Sequence, residues 1–314
     1  MEPGKIALYL WNKLWQEYSD RVSYAQVYQQ MITEAGGTVA NDHIAFRSLR
    51  MSVDSPEGKK NLGIAYLEPI AQALGYSAGG EYIFPDQKLY ARHYQPPEQY
   101  RWDLPKLFIS ELIVDELPEN IFELIYQTVS SDLNLNTSSL VDVQTLENSI
   151  NAVSTDAEVE QIITQLQSVF KRPWNIPLKS VVEAVNAVSQ YGAWVLLHGY
   201  AVNHFTGYIN RHNTPLYADI ESTAKGLADR GVPMKAEIEG NYSCGLRQTA
   251  TKAVQEMVTV IDDASSEVIS IPWTYAYYEI AERALVEVAP GHQSLFQGFL
   301  GANAQHLFEM TRKN

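Results

Sequence analysis

The segment GYAVNHFTGYIN, residues 199–210, places a polar pair, Asn203 and His204, in the middle of an apolar stretch. Val202 and Phe205 flank this pair and favour a strand that enters the core. A buried polar group needs a hydrogen-bond partner or a metal, because burial without one costs free energy. The segment therefore predicts a core strand whose histidine has either a structural or a metal-binding role.

A second segment of the same kind, NDHIAFRSL, begins at Asn41 and carries His43. Both segments follow helical patterns and precede a further helix and several strands. The predicted helices are 4–18, 23–36, 57–75, 178–191, 216–230 and 300–312, and the predicted strands lie within 41–51, 80–95, 106–117, 193–210, 242–250 and 273–288. Because helices and strands do not alternate strictly, the pattern predicts an α+β fold with two sheet-forming modules and flanking helices.

The division of the chain follows from a change in composition. Residues 131–172 are polar, acidic and rich in serine and asparagine, which favours a helical insertion at the surface. We therefore expect a single domain over 1–314. Its first module spans about 1–130, the insertion about 131–172, and the second module about 173–314.

Charge and composition exclude several classes of function. The formal net charge of −14 argues against binding to nucleic acid or to an anionic membrane surface, both of which favour a basic face. Cys244 is the only cysteine, which excludes an intramolecular disulfide and a thiolate zinc site. Without a secretory signal or an apolar run of membrane-spanning length, the sequence predicts a cytoplasmic protein.

Three side chains could form a metal site. His43 and His204 lie in corresponding strands, and Glu279 lies in the strand pattern TYAYYEIAERALVEV. Two imidazoles and one carboxylate from separate strands match the facial triad of non-haem Fe(II) enzymes, which leaves three octahedral positions open. A histidine in a core strand is also commonly a hydrogen-bonded structural residue, so the spacing alone leaves both interpretations open.

A positive charge could lie on the strand face that carries His43. Since side chains alternate along a strand, Arg47 points the same way as His43, with backbones about 13 Å apart at about 3.3 Å per residue. Arg47 could bind a carboxylate with both arms of its guanidinium group. The alternative is a structural arginine paired with one of the many acidic residues.

The same alternation of side chains along a strand assigns Gln248 and Glu282 to strand faces. Gln248 is expected to face the pocket as a neutral hydrogen-bond partner for the substrate. Glu282 lies on the opposite strand face from Glu279, and we expect it to pair with Arg283 at the surface.

The residues adjacent to the two histidines should point away from the pocket. Asp42 is expected on the face opposite His43, and Asn203 is expected to anchor the backbone on the face opposite His204. His198, placed in the same predicted strand as His204, is a reserve ligand.

Several segments together resemble one family. They are NDHIAFRSL, EYIFPDQKLYARHYQPP, LPKLFISELIVDEL, AWVLLHGYAVNHFTGYINRH and YYEIAERA. In order along most of the chain, outside about 131–172, they resemble the DUF1338 family, the group of 2-oxoadipate dioxygenase/decarboxylases (2-hydroxyglutarate synthases), and in particular its short bacterial and plant branch.

The resemblance implies a fold related to the vicinal-oxygen-chelate enzymes, with paired modules around a metal pocket. It implies Fe(II) held by His43, His204 and Glu279, a site that could hold Zn or Ni in a crystal, and Arg47 as the catalytic, substrate-binding cation. The implied reaction, part of lysine catabolism, converts 2-oxoadipate and O2 into D-2-hydroxyglutarate and CO2. The best-understood members are longer, so the length of the 2-oxo acid stays open.

Two other functions share the same metal site. One is a metal-dependent isomerase or lyase on the same scaffold, without oxygen chemistry. The other is a metal-binding regulatory protein without turnover. Consumption of O2 that depends on a 2-oxo acid distinguishes the oxygenase from both.

Overall fold

The structure, a computed structural model, describes residues 1–55, 58–131 and 143–301. The α-helices are α1 (Pro3–Arg21), α2 (Ser23–Glu34), α3 (Ile64–Ala73), α4 (Glu119–Ser130), α5 (Val143–Ala152), α6 (Asp156–Val169), α7 (Lys179–Val188), α8 (Gln190–His198) and α9 (Ile220–Asp229). The strands are β1 (Asn41–Arg50), β2 (Ser52–Ser55), β3 (Gly58–Asn61), β4 (Ser77–Phe84), β5 (Leu89–Gln95), β6 (Lys106–Ile113), β7 (Val202–Tyr208), β8 (Glu239–Asn241), β9 (Leu246–Ala250), β10 (Gln255–Ile261), β11 (Val268–Thr274), β12 (Glu279–Arg283), β13 (Leu285–Ala289) and β14 (His292–Leu295).

Eight strands form one curled sheet in the order β4-β5-β6-β1-β7-β12-β9-β8. The two halves of this sheet are built alike. β1 runs parallel to β6, β7 runs parallel to β12, and β1 and β7 meet antiparallel at a central seam. In each half one helix, α3 or α9, leads from the seam strand to the outer strands. The predicted α+β fold with paired sheet modules is therefore confirmed.

The register across the seam shows how the two halves correspond. His43 of β1 lies opposite Thr206 of β7, and Ala45 lies opposite His204. A two-fold axis between the seam strands therefore relates His43 to His204 and Ala45 to Thr206. The two histidines that the sequence singled out occupy equivalent positions in the two modules.

The strands next to the seam extend this correspondence. Phe108 of β6 pairs with Ala45, and Glu279 of β12 pairs with Thr206. Because Ala45 and Thr206 are related by the two-fold axis, Phe108 and Glu279 are equivalent too. The two halves thus share their framework and differ in the side chain at this position.

The predicted strand over 193–210 is wrong in its first part, which forms helix α8. The Ser189 hydroxyl caps the start of the helix by accepting a backbone N–H at 3.0 Å, and Gly199 ends it with a φ of 61°. An apolar run of this length does not distinguish a buried helix from a buried strand by its periodicity. His198 therefore lies in the last helical turn and not in the strand of His204.

The predicted insertion contains two helices, α5 and α6, which bury Leu146, Ile150, Ile162 and Ile163 against the body of the protein. Part of it, 132–142, and most of the predicted C-terminal helix over 300–312 lie outside the described residues. The boundaries of the insertion and modules stay a prediction. In the described part of the chain, every helix is too short or too polar to cross a lipid bilayer.

Candidate metal centre

The side chains of His43, His204 and Glu279 meet on one face of the sheet. One ligand atom from each lies within 4.8 Å of the others. Nε2 of His43 is 3.4 Å from one Glu279 oxygen, and Nε2 of His204 is 4.0 Å from the other. Three adjacent strands, β1, β7 and β12, supply one residue each, which is why residues far apart in sequence come together.

The preceding residue orients each imidazole. Asp42 Oδ1 lies 2.9 Å from Nδ1 of His43, and Asn203 Oδ1 lies 3.0 Å from Nδ1 of His204. An oxygen acceptor keeps the proton on Nδ1 and leaves Nε2 as the nitrogen that can bind a metal. In His43 the Thr206 hydroxyl, which also donates to Glu279 Oε1, lies 3.1 Å from this nitrogen. Both histidines therefore present the same nitrogen to Glu279.

The expectation that Asp42 and Asn203 point away from their histidines is wrong. The register of the β1–β7 ladder shifts at both residues, each of which is skipped in the pairing. Such a bulge re-aims the side chain and breaks the simple alternation of faces. A repeated Asp/Asn-His dipeptide in two matching strands is the sequence signal that could have shown this.

The electrostatics of the site fit a divalent cation. Burial lowers the pKa values of His43 and His204, which keeps both imidazoles neutral. Burial, and to a lesser extent the negative charge of Glu239, raises the pKa of Glu279 to about 8. Within the described residues one Glu279 oxygen, Oε2, has no hydrogen-bond partner. A cation bound here would satisfy that oxygen and both imidazole lone pairs.

The walls of the site are mainly aromatic. The ring of Tyr277 stacks on His204 at a centroid distance of 4.9 Å, and the Phe299 ring meets His43 edge-on at 4.8 Å. Phe108 lines the site where a fourth ligand would lie by symmetry. The candidate site thus offers three ligand side chains and a largely aromatic side on which a substrate could reach a bound metal.

Arg47 lies at the α8 end of the same face. Its side chain is buried, and its guanidinium carbon lies 4.8 Å from the centre of the Tyr191 ring and 5.1 Å from that of Trp194. Among the described residues, none of its three side-chain nitrogens has a hydrogen-bond partner. A buried guanidinium without a counter-ion is costly, so the arrangement favours an anionic ligand over a structural ion pair.

The structure agrees with some of the remaining sequence assignments and differs from others. Gln248 of β9 is buried and lines the pocket. Glu282 faces away from it, but the expected partner is wrong, because Glu282 pairs with Arg247 at 3.1 Å. Arg283 instead turns inward and makes a buried ion pair with Asp42. The register of β12 against β9, which places Glu282 opposite Arg247, decides this pairing.

Comparisons with known proteins identify the family to which the chain belongs. The profile of the family described as 2-oxoadipate dioxygenase/decarboxylase matches residues 12–311. A rice (Oryza sativa subsp. japonica) protein, named 2-oxoadipate dioxygenase/decarboxylase, chloroplastic/amyloplastic, is 28% identical over 298 residues, which cover 88% of this chain and 70% of the relative.

Two solved structures are also similar. The rice hydroxyglutarate synthase in complex with 2-oxoadipate superposes with a TM-score of 0.71 at 25% identity, covering 98% of this chain and 93% of the other. A protein from Ralstonia eutropha JMP134, described as a glyoxalase superfamily member, gives a TM-score of 0.78 at 23% identity, covering 96% and 88%, and so supports the fold. The chain belongs to the 2-oxoadipate dioxygenase/decarboxylase family.

Proposed function

We propose that this protein is an Fe(II)-dependent enzyme that converts 2-oxoadipate and O2 into 2-hydroxyglutarate and CO2. The carboxylate next to the keto group leaves as CO2. The keto carbon takes one oxygen atom and becomes the new carboxylate, and the adjacent methylene takes the other as a hydroxyl. O2 accepts four electrons, two from the oxidative cleavage of the bond between the carboxylate and keto carbons and two from the methylene that is hydroxylated, so no further reductant is needed.

The observation that carries the proposal is the pairing of a three-ligand site with an unpaired arginine on one buried face. His43, His204 and Glu279 would hold the metal through two Nε2 atoms and a carboxylate oxygen. When bound, Fe(II) supplies the redox chemistry with O2 and open positions for a 2-oxo acid. Arg47 would bind the distal carboxylate, which distinguishes a 2-oxo dicarboxylate from a monocarboxylate.

The remaining pocket residues position the substrate and exclude water. Gln248 offers an amide for a neutral hydrogen bond. The rings of Phe108, Tyr277 and Phe299 shield the reacting atoms, which strengthens electrostatic contacts inside the pocket. The rice relatives are named for, or solved with, 2-oxoadipate, and this supports that acid as the substrate.

Oxygen consumption tests the proposal directly. The protein would be loaded anaerobically with Fe(II) and assayed in an oxygen electrode with 2-oxo acids of four to seven carbons, and with Zn-loaded protein as control. We expect consumption of one O2 per CO2 released, fastest with a dicarboxylate such as 2-oxoadipate. Metal binding without oxygen uptake would favour the isomerase, lyase or regulatory alternative.

The location of the protein is a separate proposal. We propose a cytoplasmic enzyme, because a chain with a single cysteine fits a reducing compartment. The rice relative is named as a plastid protein, so fractionation of the source cells is the measurement that decides this point.

A further inference from the structure

The chain segment Phe296–Leu300, here called the C-terminal strap, covers the metal site. Phe299 and Leu300 line the pocket, and the Phe299 ring lies 4.9 Å from that of Phe108. Under the strap the cavity measures only about 40 Å³. Sites for small organic molecules usually measure about 300–1,000 Å³. A six-carbon dicarboxylate therefore needs a larger cavity, and movement of the strap would provide it.

One guanidinium group joins the strap to a proposed metal ligand. Nη1 of Arg283 donates to the carbonyl oxygens of Phe296 and Gly298, both at 2.8 Å. Its Nε and Nη2 donate to the two carboxylate oxygens of Asp42 at 2.5 and 2.7 Å. Asp42 in turn accepts from Nδ1 of His43. The fork geometry, which a lysine cannot reproduce, serves both partners at once.

The other module lacks this connection. Asn203 takes the place of Asp42 beside His204, and among the described residues its amide nitrogen has no hydrogen-bond partner. By the registers of β6 and β12, the position of Arg283 corresponds to Leu112. The ion pair thus joins Asp42 of the first half to Arg283 of the second, and it has no counterpart at the equivalent positions, Asn203 and Leu112.

We propose that Arg283 is a positioning residue that fastens the strap over the pocket and, through Asp42, fixes the orientation of His43. This inference rests on the proposed metal-binding role of His43. Opening the strap to admit substrate breaks two hydrogen bonds to Arg283, and closing restores them. Substrate entry and the support of one metal ligand are therefore coupled through a single side chain.

The experiment compares Arg283→Lys with Tyr82→Phe and a control. The Tyr82 hydroxyl accepts from the Phe299 N–H at 3.0 Å, so Tyr82→Phe loosens the strap without touching Asp42. The control is Arg247→Lys, an arginine of the adjacent strand that pairs with Glu282 away from the pocket. Two quantities are measured: Fe(II) affinity by competition with a chelator, and amide hydrogen exchange of the strap in the metal-free protein.

In Arg283→Lys we expect Fe(II) affinity to fall about 10- to 100-fold, as is typical for partners that orient a metal ligand. Strap amides should exchange faster. Tyr82→Phe should speed strap exchange and leave Fe(II) affinity within about twofold, and the control should change neither. If Arg283→Lys does not fold, the double variant Asp42→Asn/Arg283→Leu copies the neutral pair of the other module, and it should also speed strap exchange.

The inference would be overturned if Arg283→Lys kept both the Fe(II) affinity and the strap exchange rates of the wild type. It would also be overturned if the double variant kept the wild-type exchange rates of the strap. A wild-type protein that binds no Fe(II) would count against the proposed function instead. The exchange measurement needs no metal, so it still tests the fastening of the strap in that case.

Discussion

The two halves of the sheet share one framework but carry different chemistry. β1 and β7 each present a histidine oriented by the residue before it. The first half continues with Phe108, where the second half has Glu279. The comparison teaches that the paired strands create equivalent positions in the two halves. The number of candidate ligands in each half then depends on which side chain occupies one such position, Phe108 or Glu279.

The second difference concerns the cation. Arg47 of β1 corresponds by register to Tyr208 of β7. Thus the half with one proposed ligand has an unpaired positive charge where the half with two has the neutral Tyr208. A symmetric pocket would bind a metal from both sides equally. The asymmetric one assigns the proposed metal mainly to the second half and the proposed substrate anion to the first.

The largest expected effect concerns Glu279, the proposed ligand that only the second half has. Glu279→Gln should weaken Fe(II) binding by more than about 100-fold, beyond the effect of losing an outer partner, because a charged ligand is removed. Glu282→Gln and Phe108→Leu, the latter at the equivalent position of the first half, should keep the metal. Metal analysis of the purified variants checks this, and equal iron content in Glu279→Gln and Glu282→Gln would refute the assignment.

The second-largest expected effect concerns Arg47, the unpaired cation of the first half. Arg47→Ala should cost about 2–5 kcal/mol in kcat/KM for 2-oxoadipate, because a desolvated charge pair is lost. Iron content should stay intact, and Arg47→Lys should rescue only part of the activity. The measurement is steady-state kinetics with 2-oxoadipate and with 2-oxohexanoate, which lacks the distal carboxylate and should show a much smaller defect.

Two controls accompany this variant. Tyr208→Phe, at the equivalent position of the second half, should leave kcat/KM unchanged. Thermal melts of Arg47→Ala should show no loss of stability, since the buried guanidinium has no counter-ion in the described structure. A lowered melting temperature together with equal loss for both substrates would identify Arg47 as a structural residue.

The smallest effect is a pH dependence that belongs to the second half. Because the pKa of Glu279 is raised to about 8, a metal must displace its proton below that pH. The neutral histidines release none, so the apparent Fe(II) affinity should rise about tenfold per pH unit from about 6.5 to 8 and then level off. Chelator competition across this range checks the slope, and a flat profile would show that Glu279 is already ionised.

The raised pKa of Glu279 also makes the stability of the metal-free protein depend on pH. The folded-state pKa of Glu279 lies above the ordinary value of 4.5, so its proton stabilises the fold most below pH 4.5. This contribution is lost as the pH rises through about 8. Metal-free wild type should therefore lose stability over this range relative to Glu279→Gln, as thermal melts would measure.

Much of the site could be predicted from local patterns. Strand alternation separates Glu279 from Glu282 and turns Gln248 toward the pocket, and the structure has all three on the expected faces. The approach failed where the alternation is interrupted. The bulges at Asp42 and Asn203 turn both residues toward their histidines, and the apolar run before Gly199 forms a helix in place of a strand.

Outside the two bulges, the sequence by itself determined which residues can face the pocket, because side chains alternate regularly along an uninterrupted strand. Only the tertiary structure decided how these residues are connected. Asp42 and Arg283 stand 241 positions apart, and their ion pair exists because β1, β7 and β12 lie side by side. The strap over the site is likewise held by contacts between distant segments, and a local pattern carries no information about such contacts.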